Sequence, residues 1–304
     1  SRKLDDNGSP VPVAWNELSD RRVLVTNLYT NQKAYFPAYG ILFGEKTREP
    51  LALPAFASTS GTAVWRDLEG AVLRGVYELV ERDAFAQAWY NRLGITRLNS
   101  DVREHILPKK MSGHLQSRSR HTDLYRVDTD QNAHVIAAIS HGENGLGASL
   151  GVSAAADAPN AARSAVNEML QAELSLQLAA AAFKAGQARG ERQEMPKALQ
   201  VASTLNITNE LDLGSVPEAD GKLLDAVFEP DAVLQSCREK GIELWQFDAT
   251  RPDIGVPCAK LISPQLCSWQ PRFGKDRLYK GVVERGLTTV EAREQDFAAR
   301  PFPF

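Results

Sequence analysis

The chain of 304 residues, 43% hydrophobic and 24% charged, can bury a sizeable core as one large domain or two ordinary ones. Its formal net charge of −3 argues against a dedicated nucleic-acid binder, and no apolar run is long enough to span a membrane. The polar N-terminus SRKLDDNGSP is no signal peptide, and the three cysteines, Cys237, Cys258 and Cys267, form no CxxC, which fits a reduced, cytoplasmic protein better than a disulfide framework.

Residues 1–20 read as a linker or loop, leaving 21–304 for a single domain. Val23–Tyr29 is a strand, the turn Thr30-Asn31-Gln32-Lys33 follows it, and Tyr35–Phe43 reads as a second strand. The small-residue turn Ser58-Thr59-Ser60-Gly61-Thr62 then hands over to a helix from about Trp65 to Tyr90. At about 100° per residue, Arg74, Glu78, Glu81 and Arg82 fall within one stripe, and apolar residues fill most of the remaining circumference. A helix so apolar is buried, so its charged stripe faces a cleft, a partner or a strip of water. Two readings of the stripe stand side by side. One is an i,i+4 ladder, Arg74–Glu78–Arg82, on a solvated edge. The other is a pair of hard oxygen ligands for Mg2+ flanked by arginines that meet phosphate.

Lys109-Lys110 and Ser117-Arg118-Ser119-Arg120 read as a solvated face, with contact to an acidic partner as the lesser reading. Residues 123–140 read as two strands joined by Thr129-Asp130-Gln131-Asn132, and residues 242–263 have the same form. Leu124, Tyr125, Val127 and Asp128 answer Leu244, Trp245, Phe247 and Asp248, and short helical segments precede both units. This weak internal duplication points to a pseudo-symmetric α+β domain, with mainly antiparallel sheet packed by long helices. Gly145, Gly147 and Gly151 make no GxGxxG and mark a glycine-rich strand edge. Asp157-Ala158-Pro159 starts a second long helix, again apolar almost all round, on which Glu168 and Gln171 share a face. If the duplication holds, the two polar stripes face each other across one cleft. The breaker-rich stretch 185–222 reads as a mobile loop, and the tail Arg300-Pro301-Phe302-Pro303-Phe304 as an extended, stiff terminus.

The sequence carries no Walker A, HExxH or GxSxG motif and no cysteine–histidine zinc spacing. Its five histidines, His105, His114, His121, His134 and His141, suggest no triad, and His134 reads as a satisfied structural residue on a strand. Any nucleotide chemistry here falls to carboxylates and Mg2+ rather than to a P-loop.

STSGTA followed by RGVYELVERDA resembles the ATP-binding signature of the YcaO family. SAVNEMLQ, and FDATRPDIGVPCAKLISP followed by Arg277-Leu278, are similar to further blocks of that family in the same order. The resemblance covers nearly the whole chain from about Val23. It implies a YcaO-like fold and an ATP-dependent enzyme acting on peptide backbone amides. In the azoline-forming branch, a Cys, Ser or Thr side chain of a ribosomal precursor peptide attacks the preceding carbonyl. ATP phosphorylates the amide oxygen, and a thiazoline or oxazoline forms. RPFPF looks like that branch's C-terminal motif, which places Phe304 among the catalytic candidates.

By position, the resemblance makes Glu78, Glu81 and Glu168 metal carboxylates. It makes Arg82 and Gln171 catalytic as well as ATP-binding, and Ser58, Gly61 and Arg74 part of the ATP site. It also implies a leader-peptide-binding partner protein and a possible homodimer. The chain departs from the family in three places: Val64-Trp65-Arg66 stands where a small-residue AGN segment is usual, Gly70 stands where a metal- or ATP-binding glutamate falls, Glu69 being one position early, and the family's arginines around the ExxQ helix are not at matching positions, Arg163 lying one residue away. No counterpart of the family's N-terminal block, with its glutamate pair and lysine, is legible, so the expectation is that this block precedes the chain or has been lost. Two further readings accompany the azoline one: a thioamide-forming enzyme of the same fold, and a non-catalytic scaffold that binds a peptide or partner subunit.

Overall fold

The computed structural model describes residues 2–4, 10–12, 21–42, 45, 58–189, 194–219, 221–269 and 275–304. Where the sequence reading expects one domain over 21–304, the chain clusters into two compact units. The first is Ser1–Ala86 with Pro230–Gly281, and the second is Gln87–Glu229 with Val282–Phe304.

Inside the stretch read as a loop, β1 (Arg2–Leu4) and β2 (Pro10–Pro12) pair antiparallel. The rest of 1–20 lies outside the described residues. The sheet of the first unit uses β3 (Arg22–Asn27), β4 (Lys33–Pro37) and β5 (Thr62–Val64) from early in the chain. Its other strands, β10 (Trp245–Asp248) and β11 (Cys258–Ile262), come from late in it. The order is β4-β3-β10-β11-β5, antiparallel throughout. The β3–β4 turn is built by Asn27, whose side-chain oxygen accepts the N–H groups of Tyr29 and Thr30. The second strand stops at Pro37 and passes into a 3-10 turn, Ala38–Gly40, short of the predicted extent; Phe43 lies outside the described residues. One face of this sheet buries Val25 and Trp245, with Phe36 tilted 5.2 Å from the Trp245 ring.

The long helix α1 spans Leu68–Asn91. It begins three residues after Trp65, because Asp67 accepts the Gly70 N–H at 2.7 Å and caps the first turn. The segment before it is the strand β5, of which the sequence reading placed Thr62 in the turn and assigned no strand. Gly61 has φ of +76°, and a Cβ there would lie 2.5 Å from the Leu261 carbonyl oxygen. Glycine is therefore required where the turn meets β11. Gly75 lets α1 pack closely on the same place, since its Cβ would lie 2.9 Å from the Gly61 carbonyl oxygen.

The second unit holds β6 (Ile95–Arg97), β7 (His121–Val127), β8 (His134–His141) and β9 (Ser149–Ala155) in that order, all antiparallel. Between the first two strands lie α2 (Ser100–Ile106) and α3 (Lys109–Gln116). The helix α4 (Ala158–Ala188) is capped by Asp157, which accepts the Asn160 N–H, with Pro159 in the first turn as expected. Its alanine-rich face, Ala158, Ala161, Ala162, Ala165 and Met169, packs with Leu124 and Ile136. Residues past Gln171 are largely exposed, so the helix is apolar all round but buried only in its first half. The described residues of the stretch 185–222, which the sequence reading took for a mobile loop, carry α5 (Lys197–Thr204), α6 (Ile207–Glu210) and the start of a 3-10 turn, Gly221–Leu224, anchored by buried Ile207, Leu211 and Leu213; 190–193 and 220 lie outside the described residues. His134 is structural, its Nε2 2.7 Å from the Ala226 carbonyl and its pKa lowered by burial.

The strand-pair match extends to topology. In the second unit α3 leads into the β7–β8 hairpin, β9 extends it, and α4 follows. In the first unit α7 (Ala232–Glu239) leads into β10–β11, and β5 extends that hairpin and runs into α1. An antiparallel strand flanks each hairpin on its other side, β6 and β3 respectively. In the first unit the extending strand and the long helix come from earlier in the chain than the hairpin.

Candidate active site

The stripe of α1 is no solvated ladder. Glu81 is 7% exposed, and the Arg82 side chain 16%. The Arg82 guanidinium lies 3.5 Å from Glu78 Oε1 and 3.4 Å from Glu81 Oε1, and 3.8 Å above the Trp269 ring. Burial pushes the Glu78 carboxyl up, and Arg82, a backbone hydrogen bond from Gly61 and the charge of Lys260 offset this only partly. A desolvated carboxylate of this kind gains from a further cation.

Lys260, on β11, is the residue that sequence reasoning missed. Its side chain is buried, and Nζ donates to the carbonyl oxygens of Ser58 and Ser60. It thereby fixes the turn that carries Gly61 over Glu78. Burial lowers its pKa to about 8, against the pull of Glu78. The signal was a lone lysine in the otherwise apolar strand CAKLI. Arg74, four residues before Glu78, stacks on Trp65 with its guanidinium carbon 3.4 Å from the ring centroid. The first unit thus brings together Ser58, Gly61, Glu78, Glu81 and Arg82, all on α1 or the turn before β5, while Arg74 lies on Trp65 four residues before Glu78.

Glu168, Gln171 and Phe304 belong to the second unit. Glu168 accepts the Val152 N–H at 2.9 Å, and Gln171 is exposed. Glu78 and Glu168 are each the eleventh residue of their helices, and Glu81 and Gln171 each the fourteenth. Each glutamate takes a backbone N–H from the strand or turn ahead of its helix. The sixteenth residues match as well. Asp83, fully buried, accepts from Cys267 N–H at 2.8 Å and from Arg277 Nη2 at 2.7 Å. Glu173 accepts from Arg118 at 2.6 Å, from Arg120 at 3.2 Å and from the Ser140 hydroxyl. Arg118 and Arg120, read as a solvated face, are thus anchored to a buried acid. The tail Pro301–Phe304 forms neither helix nor strand: Trp89 donates to the Arg300 carbonyl, Phe302 is buried at 5.3 Å from the Trp89 ring, and Phe304 lies 6.2 Å from it.

Among the described residues no three of His, Cys, Asp or Glu form a ready-made metal cage. The donors present nevertheless suit Mg2+ brought in with a nucleotide, an ion that keeps several waters and takes one or two carboxylates plus phosphate oxygens. Glu78 and Glu81 are hard oxygen donors in need of positive charge. Arg82 and Lys260 are cations near them.

The family model described as YcaO cyclodehydratase, ATP- and Mg2+-binding, matches residues 6–267. The chain belongs to the YcaO family. Its fold is that of the YcaO heterocyclases, mixing helices with antiparallel sheets. A heterocyclase solved in complex with substrate and cofactor aligns with a TM-score of 0.79 at 21% identity, covering 99% of this chain and 39% of that one. The heterocyclase TruD aligns at 0.70 and 22% identity, covering 93% and 39%. The Methanopyrus kandleri YcaO, bound with AMPPCP and Mg2+, aligns with a TM-score of 0.62 at 18% identity, covering 84% and 67%. The chain therefore spans 39% of the length of the two heterocyclases. No curated protein matches it in sequence. ATP and Mg2+ are the ligands of the YcaO domain by family, and among the described residues no helix is long and apolar enough to cross a membrane.

Proposed function

We propose that this YcaO chain performs the ATP-dependent step of azoline formation on a ribosomal precursor peptide, at Cys, Ser or Thr residues. The observation that carries the reading is the Glu78–Arg82–Glu81 cluster beneath the Gly61 turn, set in a family that binds ATP and Mg2+. When bound, MgATP supplies the phosphoryl group that turns the amide oxygen into a leaving group. Glu78 and Glu81 hold the cation. Arg82, kept in its plane by Trp269, offsets charge developing on phosphate oxygens. Lys260 holds the Ser58–Gly61 turn in place, so that backbone N–H groups and Glu78 keep their spacing without reorganising.

For Glu168, Gln171 and Phe304 the proposal rests on their positions in the family's motifs: Glu168 as metal ligand, Gln171 at the nucleotide, and Phe304 as the terminal residue of RPFPF. The substrate peptide is presented by a leader-peptide-binding partner protein. The test is mass spectrometry of a Cys-containing precursor peptide incubated with the protein, its partner and MgATP. Loss of one water per ring, abolished by Glu78→Gln, is the expected result. Exchange of oxygen for sulfur in the presence of sulfide identifies thioamide chemistry, and an unmodified peptide with wild-type output from Glu78→Gln in the full pathway identifies a scaffold.

A further inference from the structure

Trp65 and Gly70, two of the positions at which the sequence departs from the motifs it resembles, are one feature in the structure. A Cβ on Gly70 would lie 2.0 Å from Trp65 Cδ1 and 2.8 Å from Nε1. No side chain fits at position 70 while the indole stays where it is. The indole is held at its backbone, where the Trp65 N–H donates to the Pro257 carbonyl just ahead of β11. The Arg74 guanidinium lies on the ring at 3.4 Å, and that of Arg66 is 5.1 Å from the centroid. Arg74 is exposed and four residues before Glu78, hence on the same face of α1.

Stacking uses the flat face of a guanidinium and leaves the N–H groups at its edge free to fork onto phosphate oxygens. A long arginine side chain on a helix surface otherwise samples many rotamers, and ordering it on ligand arrival costs affinity. An indole that fixes it beforehand removes that cost.

We propose that Trp65 is a positioning residue for Arg74, presenting its guanidinium edge to the phosphates of a nucleotide held at Glu78, and that Gly70 is glycine to make room for the indole. The proposal rests on the nucleotide reading of the α1 stripe and adds to it the stacked Trp65–Arg74 pair.

The test is calorimetric titration of MgATP into the full chain and its variants, each checked for folding by thermal denaturation. Trp65→Leu keeps apolar bulk but loses the aromatic face, and is expected to weaken binding on the order of tenfold. Trp65→Phe is expected to retain most of the affinity. Gly70→Ala, which drives the indole away, is expected to match Trp65→Leu, and the double variant to be no weaker than either single one. In an Arg74→Ala background neither change has a further effect. Wild-type affinity in Trp65→Leu, or losses that add to that of Arg74→Ala, overturns the inference while leaving the nucleotide site standing. Absence of MgATP binding by the wild type overturns the nucleotide reading and this inference together. If Trp65→Leu does not fold, the comparison of Gly70→Ala with and without Arg74 decides the matter alone.

Discussion

Gly151, on β9, lies directly beneath α4. A Cβ added there would sit 2.1 Å from the Ala165 carbonyl oxygen, 2.4 Å from the Met169 backbone nitrogen and 3.0 Å from Glu168 Cβ. Carbon–oxygen contacts settle near ~3.3 Å, so Gly151→Ala forces strand and helix apart by roughly 1 Å. Two of the obstacles are backbone atoms in the middle of a helix and cannot rotate away. Overpacking a well-filled site costs ~1–3 kcal/mol, and this case belongs at the upper end. The Val152 N–H that bonds Glu168 is the next residue, so the same displacement stretches the contact that orients that carboxylate. Urea denaturation is the assay, with a drop of ~3 kcal/mol read as a lower midpoint at unchanged slope. A loss below about 0.5 kcal/mol would show that the close strand–helix approach does not exist, and the placement of Glu168 argued from it would fall.

Three further outcomes follow from buried charges. Asp83→Ala strands Arg277 and the Cys267 N–H, and is expected to cost about 3–5 kcal/mol in chemical denaturation. Burial pushes the Glu173 carboxyl up, but the Ser140 hydroxyl and the Arg118 and Arg120 guanidinium groups outweigh it and hold it below its usual value. Its stabilisation is therefore present above the unfolded carboxylate pKa and is lost as pH falls through the lower folded one. The stability difference between wild type and Glu173→Gln should shrink below about pH 4. Lys260 has the opposite sense: its pKa is lowered to about 8, so between there and ~10.5 the unfolded chain binds the extra proton and stability rises with pH. Lys260→Met should lose that rise in pH-dependent denaturation.

Both long helices and both hairpins were legible because their apolar periodicity is strong and their ends are marked, as by Asp157 and Pro159. The position of Glu78 and Glu81 on one face was likewise a matter of helical spacing. What escaped the sequence reading was tertiary. Thr62–Val64 is too short to read as a strand and becomes one only by pairing with Cys258–Lys260. Arg118 and Arg120 look solvated until Glu173, far along the chain, is brought beneath them. Ile207, Leu211 and Leu213 are sparse among breakers, and only their burial shows that the segment around α5 and α6 is packed. Lys260 belongs to the site through two backbone carbonyls of a turn some two hundred residues earlier, a contact that no local pattern records.

The proposed function stands or falls with nucleotide binding at the α1 stripe. Titrating MgATP into the wild-type chain and into Glu78→Gln tests it most directly. Saturable binding by the wild type, lost in the variant although the variant unfolds at the wild-type temperature, is the predicted result. Equal binding by both proteins would rule this site out, because the nucleotide would then be held without the carboxylate on which the site is built.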